Sequence, residues 1–595
     1  MSHEFRVWAP DAKAVDLELV DHPARRVPMA SGGHGWWTAL VDGAGPGTGY
    51  LFSLDGGPGR PDPRSAWQPD GVDGPSRVVD HDAFEWHDDH VQPAPLGDAV
   101  LYEIHLGTFS TDTSRYPDRD TDGGAPGGGW LSAIAHLDHL VDLGVTHVEI
   151  MPVATFAGRW GWGYDGVDLF APHPAYGSPD DVKTFVDACH ARGIGVLLDV
   201  VYNHLGPEGN HLAEFGPYFT DLYATPWGEA VNLNGPGSTE VRRFIVDNAL
   251  MWLDDYHFDG LRLDAVHALL DTNAVHILEQ LATEVADLTA TLHRPLVLIA
   301  ESDRNDPRMI EPRSAGGMGI DAHWNDDFHH AVHVALTEER DSYYADYGGL
   351  APIAEALTHA YVYRGQYSEF RERHHGREPA GVLGSSFVGY VQNHDQIGNR
   401  ARGERASQLL ALPRLKVAAA LVLTAPFVPM LFQGEEWGAS APFPYFADHD
   451  DPDLADAVRE GRLEEFASFG WAAGDVLDPE DRSTFTAAIL DWDERARAPH
   501  AEVLAWYRAL IALRATEASL RDGRLDLVEV EVDEERSTLR YRRGDLTVAV
   551  NLGAGGQTLD LAAPAPQLVL ASADTVSLSG ATLELAPDTV AVVRT

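Results

Sequence analysis

The chain has 595 residues, too many for one hydrophobic core, so we expect roughly two to four domains. Its hydrophobic fraction of 44% is typical of globular proteins and argues against disorder. The net charge of −49 would repel nucleic acid and an anionic membrane surface, so a neutral substrate is the simplest fit.

Several features of the sequence bear on its compartment. Cys189 is the single cysteine, which excludes an internal disulfide and fits a reducing environment. The first residues, MSHEFRVWAP, lack the basic-then-apolar pattern of a signal peptide, and no apolar run is long enough to span a bilayer. We therefore expect a soluble cytoplasmic protein that binds neither nucleic acid nor membrane.

Residues 1–95 alternate apolar and polar side chains in short runs such as FRVWAP, AVDLELV and WWTALV. Turn clusters rich in Gly and Pro separate these runs. A period of two is typical of β-strands with one buried face. We predict an N-terminal β-sandwich of the immunoglobulin-like type over this segment.

Residues 96–517 contain eight short apolar runs, most of them flanked by helical patterns such as LSAIAHLDHLVDLG and VKTFVDACHARG. Gly144 and Gly193 stand where helix C-caps are expected. The runs are AVLYEIHLGTF, THVEIMPV, GIGVLLDVVYNH, DGLRLDAV, PLVLIAESD, GIDAHWNDDF, SFVGYVQNHD and PFVPMLFQGEEW. Eight strand–helix units predict a catalytic (β/α)₈ TIM barrel, closed by a last helix over residues 503–515.

Alternation returns in residues 518–595, which predicts a C-terminal β-sandwich. Long connections at about 205–239, after the third predicted strand, and about 438–500, after the eighth, are expected to shape the site. The connection after the first strand contains DRDTDG, which begins like a calcium loop. Gly129 stands where that loop needs a bidentate Glu, so we interpret it as an acidic loop without metal.

Polar side chains collect at the C-terminal ends of the predicted barrel strands, which is where barrel enzymes have their active sites. Four separate strands place carboxylates at this end, which predicts one catalytic site. The residues concerned are Asp199, Asn203, His204, Arg262, Asp264, Glu301, His394 and Asp395.

These residue types suit glycosyl transfer. Retaining glycosidases use two carboxyl groups about 5–5.5 Å apart, one as nucleophile and one as acid/base. Arg262 lies two residues before Asp264 on one strand face, and a guanidinium favours the ionised carboxylate that a nucleophile requires. Glu301 follows the apolar run VLIA, where desolvation would keep an acid protonated. Taken alone, Arg262 and Asp264 would also fit a structural ion pair.

The segments DVVYNH, GLRLDAVH, IAES and QNHD, in that order, resemble the α-amylase clan of glycoside hydrolases, family 13. The resemblance implies that Asp264 is the nucleophile, Glu301 the general acid/base and Asp395 the transition-state stabiliser. It implies retention of anomeric configuration and no cofactor or catalytic metal. It also implies an aromatic platform for the sugar, Tyr164 in GWGYDG, and further sugar contacts by Asp165, Asp199, His204, Arg262 and His394.

Within this clan, the segments AESDRNDPR and DAHWNDDFHHAVHVALT most resemble the members that release trehalose from maltooligosyltrehalose. Those members cut the α-1,4 bond next to the terminal trehalose. The stretch WNDDFHH taken alone would also fit a helix start capped by Asn or Asp. Carried over, the resemblance implies substrate contacts by His267, Asp326, Asp327, Phe328, His329, His330, Gln396 and Asn399.

Three functions stay open at this point. The first is a hydrolase releasing trehalose and a malto-oligosaccharide; the second is an α-glucan branching enzyme with the same nucleophile. The third, a non-catalytic α-glucan-binding protein, is disfavoured by the intact set of three carboxylates. The resemblance further implies a functional pairing with a synthase that forms maltooligosyltrehalose.

Overall fold

The computed structural model describes residues 2–21, 25–88, 91–114, 127–467, 471, 474 and 476–595. In chain order these residues form two N-terminal sheets, a closed barrel with small accessory sheets, and two C-terminal sheets. Among them, no helix combines the length and apolar character needed to cross a membrane.

The N-terminal strands form one sheet of three strands and one of five. Phe5 of the first sheet packs edge-to-face on Tyr50 of the second, with ring centroids 4.8 Å apart. The two sheets therefore pack face to face, as the alternating pattern predicted. The strands are Ser2–Trp8, Val15–Leu19, Arg25–Pro28, Ala30–Gly33, Trp36–Asp42, Gly49–Leu54, Gly59–Arg60 and Ser76–Arg77.

The barrel consists of eight parallel strands in chain order. Leu101 of the first strand pairs with His147 of the second and with Met430 of the eighth, which closes the barrel. Each of the eight predicted apolar runs contributes one strand, so the predicted fold class is confirmed. The barrel strands are Leu101–Ile104, His147–Ile150, Gly195–Val200, Gly260–Leu263, Val297–Ala300, Ala322–Trp324, Phe387–Tyr390 and Val428–Phe432.

Helices outside the barrel bury apolar side chains in the main core, among them Val182 and Phe185 of Pro179–His190. Gly144 and Gly193 have φ values of 94° and 73°, the left-handed conformation that ends a helix, as predicted. The predicted closing helix is also present. The helices are Leu106–Phe109, Trp130–Ala133, Leu137–Leu143, Pro179–His190, Leu212–Phe215, Ser238–Asp254, Ile277–Leu292, Asp326–Thr337, Ala351–His359, His394–Gly398, Ala406–Leu409, Leu412–Leu423, Pro452–Ala467, Arg482–Ala487, His500–Thr516 and Ala518–Arg521.

The long connections carry structure of their own. The one after the third barrel strand contains a hairpin, Phe219–Thr225 with Gly228–Val231. Two further hairpins lie between barrel strands: Ala154–Thr155 with Asp168–Pro172, and Arg364–Ser368 with Arg373–Gly376. These hairpins were not predicted from the sequence. The segment DRDTDG lies outside the described residues.

The C-terminal strands form a sheet of five and a sheet of three. Leu583 and Leu585 of the smaller sheet share one apolar cluster with Ala549 and Ala591 of the larger sheet. The proposed limits of the three domains, at 95/96 and 517/518, remain predictions. The strands are Glu529–Asp533, Thr538–Arg543, Leu546–Asn551, Gln557–Asp560, Gln567–Ala571, Ser577–Ser579, Thr582–Leu585 and Thr589–Arg594.

Candidate active site

Three carboxylates follow barrel strands at the same mouth of the barrel. Asp264 comes directly after the fourth strand and Glu301 directly after the fifth, while Asp395 lies in the short helix His394–Gly398 after the seventh. Because the strands are parallel, their C-terminal ends open on one face. The fold therefore brings together the three residues predicted as catalytic.

The buried side chain of Arg262 links carboxylates from three neighbouring strands. Its Nη1 donates to both oxygens of Asp199, at 2.8 and 2.7 Å, and to Oδ1 of Asp264 at 2.8 Å. Its Nη2 lies 3.0 Å from Oε2 of Glu301, an ion-pair contact without hydrogen-bond alignment. The guanidinium also lies over the indole of Trp324, 4.1 Å from the ring centroid. Together these acids offset the cost of removing the cation from water.

A second donor holds Asp264 from the opposite side. The amide nitrogen of Asn203 donates to Oδ2 of Asp264 at 2.6 Å and to its carbonyl oxygen at 3.0 Å. The amide oxygen of Asn203 lies 2.6 Å from Nδ1 of His204. An ionised carboxylate is an acceptor only, so donors on both oxygens match the ionised form of Asp264.

The carboxyl group of Glu301 is held by the backbone that follows Asp264. The N–H of Ala265 donates to Oε2 of Glu301 at 2.6 Å. Ala265 has φ 39° and ψ 49°, a left-handed conformation uncommon outside glycine, which accompanies the turn made directly after Asp264. Burial raises the pKa of Glu301 well above its ordinary value; Asp264 and Asp395 raise it further, whereas Arg262 opposes them. The raised pKa favours a protonated acid at neutral pH.

Tyr164 connects the carboxylate of Asp199 to the ring of His394. Its hydroxyl donates to Oδ2 of Asp199 at 2.5 Å and lies 2.8 Å from Nε2 of His394. The Tyr164 and His394 rings are stacked with centroids 5.1 Å apart. Burial raises the pKa of Asp199 to about 6, against the opposing effect of the adjacent Arg262. The predicted aromatic platform thus belongs to the same hydrogen-bonded network as Arg262.

His204 lies under an aromatic side chain supplied by the connection after the third strand. The ring of Trp227 stacks on that of His204, with centroids 4.5 Å apart and an interplanar angle of 6°. Trp227 is 47% exposed, and it lies between the two strands of the hairpin over residues 219–231. The hairpin therefore extends an aromatic surface over one side of the barrel mouth.

Asp326 lies at the start of the helix after the sixth strand, near Glu301 and Asp395. The hydroxyl of Tyr390 donates to its Oδ1 at 2.6 Å. Burial raises the pKa of Asp326 to about 6, and the neighbouring Asp395 contributes to the rise. Asp326 also adds to the raised pKa of Glu301, which places it on the side of the proposed acid.

The carboxylate of Asp327 is held by hydrogen-bond donors of the protein. Its Oδ1 accepts from the hydroxyl of Tyr347 at 2.5 Å, and its Oδ2 accepts from Asn305 Nδ2 at 2.8 Å. The N–H groups of Val362 and Tyr363 donate to the same Oδ2 at 2.7 and 2.8 Å. The side chain is buried and fastens several loops together. The structure thus gives Asp327 a scaffolding role.

The three residues after Asp327 are also buried in the protein. Phe328 is fully buried in the main core. His329 Nδ1 hydrogen-bonds the Val391 carbonyl at 2.8 Å, and the ring of His330 packs on that of Tyr343. These three side chains pack against protein groups, and their predicted substrate contacts remain predictions.

Asp165 and Asn399 lie at a second edge of the mouth. Asp165 accepts a long hydrogen bond of 3.5 Å from the hydroxyl of Tyr445, and Asn399 accepts from Arg462 at 3.1 Å. The guanidinium of Arg462 lies over the Tyr445 ring, 4.1 Å from its centroid. The connection after the eighth strand therefore meets both predicted residues.

His267 and Gln396 both form hydrogen bonds with other groups of the protein. The backbone carbonyl of His267 accepts from Arg304 at 2.6 Å. The side-chain oxygen of Gln396 accepts from the Asn393 N–H at 2.8 Å and caps the helix that carries Asp395. Gln396 thus fixes the start of that helix.

Two residues of the site were not predicted from the sequence. Trp227 was hidden in a polar connection, where nothing in the local pattern indicates which loop residue reaches the cleft. Glu103 lies within the first barrel strand and is buried, with its carboxylate against His394. A charged residue inside the apolar run LYEI was the available signal, because such a group needs a buried partner.

In the described part of the chain, no group of three or more His, Cys, Asp or Glu side chains could hold a metal ion.

Comparisons with known proteins agree with this geometry. The family model for the α-amylase catalytic domain matches residues 114–218, and carbohydrate-binding module 48 (isoamylase N-terminal domain) matches residues 1–68. A domain of unknown function, DUF3459, matches residues 524–592. The Arthrobacter ramosus malto-oligosyltrehalose trehalohydrolase is 48% identical over 93% of this chain and 94% of its own length. This chain belongs to the malto-oligosyltrehalose trehalohydrolase family of the α-amylase clan.

Two further proteins extend the comparison. The enzyme of that name from Saccharolobus solfataricus is 41% identical over 86% of this chain and 84% of its own length. An alpha-amylase candidate from Salmonella typhimurium has a crystal structure with a TM-score of 0.89 and 38% identity, covering 100% of this chain and 98% of that chain. The predicted resemblance is therefore confirmed.

Proposed function

We propose that this protein hydrolyses the α-1,4-glucosidic bond next to the terminal trehalose of maltooligosyltrehalose, releasing trehalose and a malto-oligosaccharide. The observation that carries the proposal is the buried Arg262, which contacts Asp199, Asp264 and Glu301 at once. Membership of the trehalohydrolase family supports the choice of substrate.

In the first step, the Asp264 carboxylate attacks the anomeric carbon of the glucose next to trehalose. Glu301 gives its proton to the departing glycosidic oxygen, so trehalose leaves as a neutral alcohol. A covalent bond between Asp264 and the glucan chain forms as the glycosidic bond breaks. Arg262 and Asn203 keep Asp264 ionised and aimed, which supports its role as nucleophile.

In the second step, the Glu301 carboxylate takes a proton from water, and the resulting oxygen nucleophile attacks the same anomeric carbon. The bond to Asp264 breaks, and the malto-oligosaccharide leaves with retained configuration. Positive charge develops on the sugar ring in both transition states, and Asp395 stabilises it from the barrel mouth.

We further propose that Asp326 contacts the trehalose leaving group and that Tyr164 supports the sugar at the cleaved bond. The position of Asp326 beside the proposed acid supports this assignment. A functional pairing with a synthase that makes maltooligosyltrehalose remains part of the proposal, since it follows from the family.

A transferase is the second candidate. A branching enzyme from Pseudoalteromonas atlantica is 29% identical over 73% of this chain, and it would share the same nucleophile. Purified protein should therefore be incubated with maltotriosyltrehalose and, separately, with linear amylose. We expect free trehalose from the first substrate. New α-1,6 branches in amylose without trehalose release would favour the transferase, and binding without either reaction would favour a glucan-binding protein.

A further inference from the structure

A buried acid beneath the barrel mouth contacts residue 394 twice. Glu103, in the first barrel strand, has one carboxylate oxygen hydrogen-bonded to Nδ1 of the His394 ring. Its other oxygen accepts the backbone N–H of His394 at 3.1 Å. Both side chains are only 1% exposed. A single carboxylate thus fixes both the backbone and the ring of His394.

The far side of the ring faces the reacting groups. Nε2 of His394 lies 2.8 Å from the Tyr164 hydroxyl and 3.4 Å from Oδ1 of Asp395. The Tyr164 hydroxyl uses its one proton to donate to Asp199. It can therefore only accept from His394, so Nε2 carries a proton. With another proton shared between Nδ1 and Glu103, the geometry describes an imidazolium.

The charges around the ring favour the same state. Burial alone would lower the pKa of His394, but Asp395 and Glu103 outweigh it and raise this pKa to about 9. Several elements packed around the ring contribute titratable or charged groups. These are Glu103, His105, Glu149, Tyr164, Asp199, Arg262 and Asp395.

Glu149 is the natural counterpart of Glu103. The two residues are paired across the first and second strands, and both are buried. Among the described residues, neither carboxylate oxygen of Glu149 has a hydrogen-bond partner. Burial raises its pKa well above the ordinary value, with Glu103 and Asp199 adding to the rise. Burial without a partner for either oxygen thus favours the neutral form of Glu149, whereas Glu103 has a cationic partner.

We propose that Glu103 is a positioning residue, which holds the His394 ring so that its Nε2–H points at Tyr164 and Asp395. Glu103 does not touch the sugar; it acts through His394. The inference rests on the proposed function, because His394 and Asp395 matter only if the sugar is cleaved at this mouth. A direct consequence is that Glu103 controls the charge as well as the orientation of His394.

The test compares Glu103→Gln with Glu149→Gln in trehalose release from maltotriosyltrehalose across pH 5.5–8.5. The first change removes a charge from the ring, and the second replaces one neutral group by another. We expect Glu103→Gln to lower kcat about ten- to a hundredfold with little change in KM, the range for a misplaced active-site group. The deficit should grow with pH, because His394 then loses its proton within the assayed range.

Glu149→Gln should keep kcat within about threefold of the parent at every pH, since it leaves the local charge unchanged. A double-mutant cycle supplies an independent readout. If Glu103 acts through His394, Glu103→Gln should cost little further activity in a His394→Gln background. Additive losses, a deficit independent of pH, or equal losses for both glutamates would overturn the proposal.

Folding is checked by circular dichroism and melting temperature. If Glu103→Gln yields no folded protein, Glu103→Asp replaces it; this variant keeps the charge but withdraws it by one methylene, and its deficit should have the same pH trend. Asp264→Ala and the parent protein serve as controls that distinguish the role of Glu103 from the proposed function and mechanism. Undiminished trehalose release by Asp264→Ala would refute the proposed mechanism, and no trehalose release by the parent would refute the proposed function. An active parent and an inactive Asp264→Ala together with an unaffected Glu103→Gln would refute only the role of Glu103.

Discussion

Replacing Arg262 should test how much of the catalytic power depends on one buried charge. Arg262→Met would leave the neighbouring carboxyl groups of Asp199, Asp264 and Glu301 without the cation that contacts all three. One attraction between unit charges about 4 Å apart is worth about 4 kcal/mol at an effective dielectric constant of 20. Since about 1.4 kcal/mol corresponds to a factor of ten, losing the attraction that holds Asp264 ionised and aimed should lower kcat/KM by up to about a thousandfold.

Arg262→Lys is the matched control, because it keeps the charge and loses the planar fork. One ammonium cannot reproduce the contacts of 2.7, 2.8 and 3.0 Å that Nη1 and Nη2 make with three carboxylates. We expect an intermediate loss of about ten- to a hundredfold, the range for a misaligned active-site group.

The assay is release of trehalose from maltotriosyltrehalose by each purified variant, with circular dichroism confirming the fold. Removing one partner of a buried ion pair costs about 3–5 kcal/mol of stability, so melting temperatures accompany the rates. A folded Arg262→Met variant within tenfold of the parent would refute the view that the guanidinium maintains the nucleophile.

Three further predictions concern other parts of the molecule. Because the pKa of Glu301 is raised, parental activity should fall as alkaline pH removes its proton; Glu301→Gln should lower kcat about 10²–10⁴-fold and abolish that alkaline decline in a pH–rate profile. Trp227→Ala should lower kcat/KM about fivefold at unchanged melting temperature, since an aromatic contact is worth about 1 kcal/mol and the side chain is 47% exposed; an unaltered kcat/KM would exclude this hairpin from the site. His190 lies between Asp88 and Asp259 with a pKa raised to about 9, so its stabilisation is complete below about pH 6.5 and is lost as pH rises through about 9. His190→Gln should therefore lower the free energy of unfolding by about 3 kcal/mol at pH 6, and its melting temperature should decline less at alkaline pH than that of the parent. An identical alkaline decline in the two proteins would contradict the assignment of this decline to His190.

Much of the fold was predictable because its elements are specified locally. Runs such as GIGVLLDV are short, apolar and bounded by turn residues, and each of the eight runs became a barrel strand. Once the barrel was predicted, the position of Asp264 and Glu301 at its mouth followed from their place directly after strands. The ends of parallel strands must share one face, so no knowledge of the loops was required.

The leaving-group side was harder to predict, since it depends on helix rotation. Asp326 reaches the mouth, whereas the side chains of residues 327–329 point in other directions around the helix axis. A helix advances about 100° per residue, so consecutive residues cannot all face one cleft. The polar side-chain atoms of Asp327 and His329 form hydrogen bonds within the protein.

Glu103 and Trp227 were missed for different physical reasons. Glu103 has its partner on the seventh barrel strand's connection, 291 positions away, and the local run LYEI does not indicate which residue that is. Trp227 depends on the path of a hairpin whose register contains an irregularity. Long-range pairing and loop geometry are set by the whole fold.

The most direct test of the central claim is to identify the residue that becomes covalently attached to the sugar. Glu301→Gln should be incubated with α-maltotriosyl fluoride, whose leaving group needs no proton, so that the first step proceeds and the second is slowed. Peptide mass spectrometry should then find one maltotriosyl group on the peptide containing Asp264. An adduct on another residue, or direct release of the β-anomer without any adduct, would contradict the assignment of Asp264 as nucleophile at a site shared with Glu301 and Asp395.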